Sequence, residues 1–173
     1  MKPTDKPFDN VRIDKTVWEK LRAKAKELDR MYVKVGILAS KGGDAPHGDS
    51  EMSLIDIAAT HEFGSSDGRI PERKPIRRTF NEGDGPRRLA DMCAKLAKKI
   101  ITDNMDPVRA LNLLGAWAAK EVKNTITESD IPPPLAESTI AAKGSTKPLV
   151  DTGLLLNSIS YEVVENASEG TDK

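Results

Sequence analysis

Long apolar runs, aromatics and cysteines are all scarce in this 173-residue chain. No stretch approaches the roughly 18 consecutive apolar residues that a membrane-crossing helix requires, so the sequence predicts no span and no membrane partner. The opening MKPTDKPFDN lacks the apolar core of a secretory leader, and none is expected. The lone cysteine, Cys93, has no partner for an internal disulfide, which fits a reducing compartment, the cytoplasm. Its Ala and Leu neighbours in a helical pattern predict a small core residue, not a nucleophile.

Hydrophobic residues make up 38% of the chain and aromatics 4%, against about 45–50% apolar residues in an average globular domain. A chain this poor in core material often hides surface against partners or carries mobile arms. Lysine plus arginine and aspartate plus glutamate number 27 each, giving zero formal net charge. That balance removes any general pull toward nucleic acid or anionic membrane, while leaving room for a local basic patch.

Catalytic constellations are missing too. His61-Glu62 begins like a zinc-protease motif, but the position four residues after His61 is Ser65, so the second ligand is absent. His47 lies in a Gly-rich stretch with no ligand cluster at metal spacing. There is no G-x-S-x-G, and Gly144-Ser-Thr-Lys147 lacks the glycine and the Gly-Lys-Ser/Thr order of a phosphate loop. Paired carboxylates such as Asp5-Asp9 and Glu128-Asp130 sit in polar segments without a cause for raised pKa values. The expectation is therefore no enzyme, no metal and no cofactor.

What is present reads as one α+β domain over 14–165, between an N-terminal arm (1–13) and a C-terminal tail (166–173). Val17, Leu21, Ala25 and Leu28 recur at helical spacing, with Asp14 as N-cap. Val33, Val35 and Ile37 alternate with Lys34 and Gly36 as in a strand. Residues 39–52 read as a mobile Gly-rich loop, after which Ser53 caps a short helix that stops near Gly64. Residues 64–85 show little periodicity. Long helices are predicted over 86–102 and 107–126, with Pro107 at the first helical position of the second. A short helix around 136–143, a leucine turn capped by Asp151 or Thr152, and a strand carrying Ile159, Tyr161 and Val163 complete the pattern. The predicted architecture is a small, mainly antiparallel sheet against two long helices.

Arg69, Arg73, Lys74, Arg77 and Arg78 put five positive charges in ten residues. Glu72 interrupts them and no aromatic is interleaved, as stacking on single strands would want. The expectation is that these side chains pair with carboxylates on a neighbouring subunit.

Three segments together resemble a known family: Val33-Lys-Val-Gly-Ile37 with Ile57-Ala-Ala-Thr-His-Glu-Phe-Gly64, Gly68-Arg-Ile-Pro-Glu-Arg-Lys-Pro-Ile-Arg-Arg-Thr-Phe80, and Pro148-Leu-Val-Asp-Thr-Gly-Leu-Leu-Leu-Asn-Ser-Ile159. In order and spacing they are similar to neck or tail-completion proteins of tailed bacteriophages, also described as virion-morphogenesis or tail-component proteins. The resemblance covers about 31–164. Where similar proteins often carry an aromatic before the Arg-Arg step, this chain has Ile76.

The resemblance implies a non-enzymatic virion subunit, made in the host bacterial cytoplasm, that completes the tail and helps join it to the head. It implies a self-associating ring, hexameric like the tail, beside a tail-tube or terminator protein and a head-side connector or stopper. A terminator ring on the tail tube and a DNA-contacting neck module are the alternatives, and a His61/Glu62 hydrolase a third. The segments' own chemistry suggests the interface: Arg69, Arg73, Lys74, Arg77 and Arg78 with the apolar anchors Ile70, Ile76 and Phe80. Pro71 and Pro75 stiffen that segment, which lowers the entropy lost on docking. Leu154, Leu155 and Leu156 cannot all face one helix stripe, so at least one is expected to face a partner. Glu121, Glu128 or Asp130 are candidates for the complementary patch.

Overall fold

The computed structural model describes residues 15–46, 51–128, 131–135, 137, 140–141 and 153–166. The expected arm, the Asp14 cap, most of the 136–143 helix, the Asp151/Thr152 cap and nearly all of the tail lie outside them.

Helix α1 (Lys15–Asp29) runs directly into strand β1 (Met31–Ile37). A 3₁₀ turn at Ala39–Lys41 follows, then α2 (Leu54–Phe63), α3 (Pro75–Asn81), α4 (Gly85–Thr102), α5 (Pro107–Glu128), α6 (Leu154–Ser158) and β2 (Ile159–Glu165). The architecture is α+β, as the sequence predicts. β1 and β2 form a two-stranded antiparallel sheet in which Met31 pairs with Glu165 and Ile37 with Ile159. Of the two long helices, α5 packs on the sheet, while α4 packs on α5 and α3.

The main core lies between α5 and the sheet. Ala119, Val122 and Ile126 of α5 are buried with Ile131 and Ile159, and Val35, Ile37, Tyr161, Ile76, Phe80, Leu155 and Leu156 pack around them. Gly115 allows this close approach: a Cβ there would sit 2.2 Å from the Tyr161 ring. A second cluster, Leu96, Ile100 and Ala110 with Leu28, Met92, Met105 and Leu114, joins α4 to α5 and the end of α1.

Local signals fix several element ends. Ser53 and Asp56 form a reciprocal capping box: the Ser53 hydroxyl accepts from the Asp56 amide (3.1 Å) and the Asp56 carboxylate from the Ser53 amide (3.0 Å). Asp106 accepts from the Arg109 amide at 2.8 Å, with Pro107 inside the helix start. The stretch read as a mobile loop is anchored where it is described. Gly43 donates to the Leu38 carbonyl and accepts from Ile55, both at 3.0 Å, and Pro46 bridges to Ser53. Gly43 is buried, and a Cβ there would meet Ile37 at 2.6 Å.

Two expectations need correction. Residues 64–85 contain a helix, α3, with Pro75 at its start and no side-chain cap from the preceding residue, Lys74. Cys93 is exposed on α4, not buried. It lies one turn before Ala97, which lines an open groove on α4.

Candidate functional site

The segment 64–80 begins with a tight turn. The Ser65 amide donates to the Ile70 carbonyl (2.9 Å), and the Ile70 amide donates back to the Ser65 hydroxyl (2.8 Å). Asp67 accepts from the Ser65 hydroxyl (2.6 Å) and the Arg69 amide (3.1 Å), and these bonds hold its pKa below the usual carboxylate value. Arg69 and Ile70 stand exposed at this tip. Beyond it the chain crosses back over α2, where the His61 carbonyl accepts from the Arg73 amide (2.9 Å) and the Lys74 amide (3.2 Å). Lys74 takes a left-handed backbone (φ 55°) and turns the chain into α3.

Glu62 organises the centre. Its side chain is 9% exposed. One oxygen accepts from the Ile76 amide (2.9 Å), the other from the Arg77 amide and the Arg77 Nε (both 3.0 Å). A carboxylate from α2 thus satisfies the free amides at the start of α3 and sits favourably against that helix's positive end. Arg77 also bonds the Glu62 carbonyl and the Glu72 carboxylate, and its guanidinium lies 5.0 Å from the centre of the exposed Phe63 ring. These carboxylates, Glu62 first, raise the Arg77 pKa. In turn Arg77, then Lys74, hold Glu72 below the usual range.

Four of the five residues of the basic segment, expected to pair across subunits, face carboxylates of their own chain. Arg69 pairs with Asp67 (3.3 Å), Lys74 with Glu72 (3.1 Å), Arg77 with Glu62 and Glu72, and Arg78 with Glu82 (3.5 Å). The cause is that turns and helices return nearby acids of the same chain to the same surface. The fifth, Arg73, is 4% exposed and donates to the carbonyls of Pro71 (3.5 Å) and Pro133 (3.4 Å). Burial pulls its pKa down. Glu121, a candidate for the opposing patch, is paired with Arg88 of its own chain.

The apolar anchors divide. Ile70 is exposed. Ile76 and Phe80 point inward to the main core, and Phe80 lies 6.3 Å from the Trp117 ring. Leu154, Leu155 and Leu156 are all half-buried, and the last two join that core. Each of the three thus buries part of its side chain within this chain, because α6 is a single short turn wedged beside β2.

The three segments that carry the family resemblance meet around one cavity of about 30 Å³. Gly36 and Ile37 come from the first strand, Ala58 and Glu62 from α2, and Pro75 and Ile76 from α3. Leu155 and Ile159 close the far side. The space is the size of one water molecule and too small for an organic substrate. Among the described residues no group of three His, Cys, Asp or Glu side chains is placed to hold a metal.

A larger feature went unread in the sequence. Trp18, Leu21, Ala25 and Leu28 of α1 face Ala97, Ile100 and Ile101 of α4 across an open groove of about 430 Å³. Trp18 and Ile101, 62% and 61% exposed, form its walls. Trp18 sits next to the apolar stripe of α1 in sequence, which was the available signal.

Comparison with protein-family models, curated proteins and solved structures finds no match to this chain.

Proposed function

We propose that this chain is a structural subunit of a tailed-phage virion, acting at the neck or as a tail-completion protein that helps join tail to head. The observation that carries the reading is the convergence of the three resembling segments on one cavity. The third lies far from the other two in sequence, yet Glu62, Ile76 and Leu155 line the same space. A shared fold would require those residue types there: glycine where Ile76 approaches β1, a carboxylate where α3 starts, and leucine where α6 closes the core.

The chemistry agrees with a role in shape and contact. Glu62, the most enzyme-like side chain in the sequence, is fully used in bracing α3 and Arg77. The exposed tip Arg69–Ile70 and Phe63 are the parts of this segment left to meet a neighbouring copy, the tail tube or a head-side connector. Assembly as a ring, hexameric to match the tail, places different patches of each subunit in contact.

Electron microscopy of particles made without this protein tests the reading. Filled heads beside separate tails are expected, and addition of the purified protein should restore joining. Normal virions formed in its absence would overturn the proposal.

A further inference from the structure

Helix α1 has an apolar stripe and no buried residue. It is tied to the end of α4 through Lys24, whose ammonium donates to the carbonyls of Ile100 (3.4 Å) and Met105 (3.1 Å) and to the Asn104 side chain (2.8 Å). Above that tie the two helices leave the groove between them. Its exposed apolar surface continues along α4 through Ala94, Cys93 and Ala90. The lining stretch of α1, Trp18 to Leu28, spans about 15 Å at 1.5 Å per residue. The concavity therefore has the length and lining to receive about three turns of another helix.

Charge identifies the occupant. The two helices carry ten basic side chains against four acidic ones, in a chain whose total is balanced at 27 to 27. Among the described residues, Arg88 is the one of those ten engaged in an ion pair. Arg22 lines the groove, Lys26 lies one turn after it and Lys15 two turns before it on the same face, and Lys98 lies one turn before Ile101 on the opposite wall.

We infer that the α1–α4 groove docks an amphipathic helix of another protein, apolar on the buried side and carboxylate-rich along its flanks. This goes beyond the virion reading and does not depend on it. A second copy of this chain is a poor occupant. Its α1 and α4 are themselves basic, Glu62 of α2 is buried, and Glu121 of α5 is already paired. A bilayer surface is flat and would leave the groove floor, Leu28 and Ile100, uncovered.

The test uses the full chain carrying Trp117→Phe, which leaves Trp18 as the single tryptophan. The probe is a synthetic helix of about 18 residues, long enough to hold helical structure, with leucine at i, i+3, i+4 and i+7, glutamate flanking that stripe and alanine on the far face. Its control has lysine in place of glutamate. The expected result is a saturable blue shift of Trp18 emission with the glutamate peptide, at least ~10-fold tighter than with the lysine peptide. Arg22→Glu with Lys98→Glu, both at exposed positions, should weaken the glutamate peptide at least ~10-fold without changing the far-ultraviolet circular dichroism. Ala97→Phe, which fills the groove without adding a tryptophan, should abolish the shift.

Equal binding of the two peptides, or none, overturns the proposal. So does a Trp18 response to phosphatidylserine vesicles in place of the glutamate peptide, which would make the partner a lipid surface. Self-association of the free protein that Ala97→Phe removes would make it a second copy.

Discussion

The Arg77 guanidinium and the Glu62 carboxylate meet at 3.0 Å, through the same oxygen that accepts the Arg77 backbone amide. One acid thus fixes both the start of α3 and the side chain that leans over Phe63. The pair joins α2 to α3 and sets the direction in which the exposed turn 65–70 projects.

Loss of that acid should cost stability, not turnover. Glu62→Gln keeps the shape but weakens charge-assisted bonds worth about 1.5–3 kcal/mol each, so the expected loss is roughly 2 kcal/mol, read as a lower urea midpoint. Glu62→Ala leaves the Ile76 and Arg77 amides open and should cost about 3–4 kcal/mol, in the range of broken buried pairs. Unchanged unfolding of both variants would remove the bracing role.

Gly115 and Tyr161 should behave as one unit. Gly115→Ala drives a methyl group into the ring and is expected to destabilise by about 2–3 kcal/mol, typical of overpacking. Tyr161→Leu makes room. The double variant should be more stable than the sum of the single effects predicts, with a coupling of about 1–2 kcal/mol in a thermal-denaturation cycle. Simple additivity would show that the backbone, not the ring, sets this spacing.

The Ser53–Asp56 box predicts a defined acid response. The Ser53 hydroxyl first, and its amide second, lower the Asp56 pKa from the ordinary 3.8. A carboxyl depressed in the folded state stabilises fully above its unfolded pKa and loses that contribution as pH falls through the folded value. Wild type should therefore exceed Asp56→Asn in stability at neutral pH, with the gap closing below about pH 4. Urea midpoints from pH 7 to pH 2 would measure it. A gap that stays constant with pH would assign the effect to shape instead of charge.

Cys93 should react as a surface thiol. The native protein is expected to take one equivalent of a maleimide without denaturant, at a rate close to that of the unfolded chain. Strong protection would mean that another molecule, or another copy, already lies over this turn of α4.

Much of the architecture could be read from the residues, and the failures share a cause. Leu89, Met92, Leu96 and Ile100 mark α4 by spacing, Asp106-Pro107 marks the start of α5, and alternation marks both strands. These signals are local. Helix α3 was missed because its cap, Glu62, comes from a different helix, while Lys74 just before it is neither a usual cap nor a usual left-handed residue. Ile76 and Phe80 turn inward for the same reason: once α3 is a helix, two residues four apart share its buried face. Cys93 lies in line with the apolar stripe of α4, so the stripe alone could not reveal that this position is exposed. The pairing of the basic segment depended on which acids the turns return, and Glu62, Glu72 and Glu82 are not distinguishable in sequence from other surface acids.

The pairing of Met31 with Glu165 joins the first strand to the last described element of the chain. During synthesis, β1 and helices α1 to α5 leave the ribosome before β2 exists. Until then α5 has only half of its sheet, and the apolar edge formed by Val33, Val35 and Ile37 stands open to a passing strand. Long-range closure of this kind is slow, so the nascent chain carries a window of aggregation risk that narrows when Ile159–Glu165 pairs with β1 and completes the core against α5.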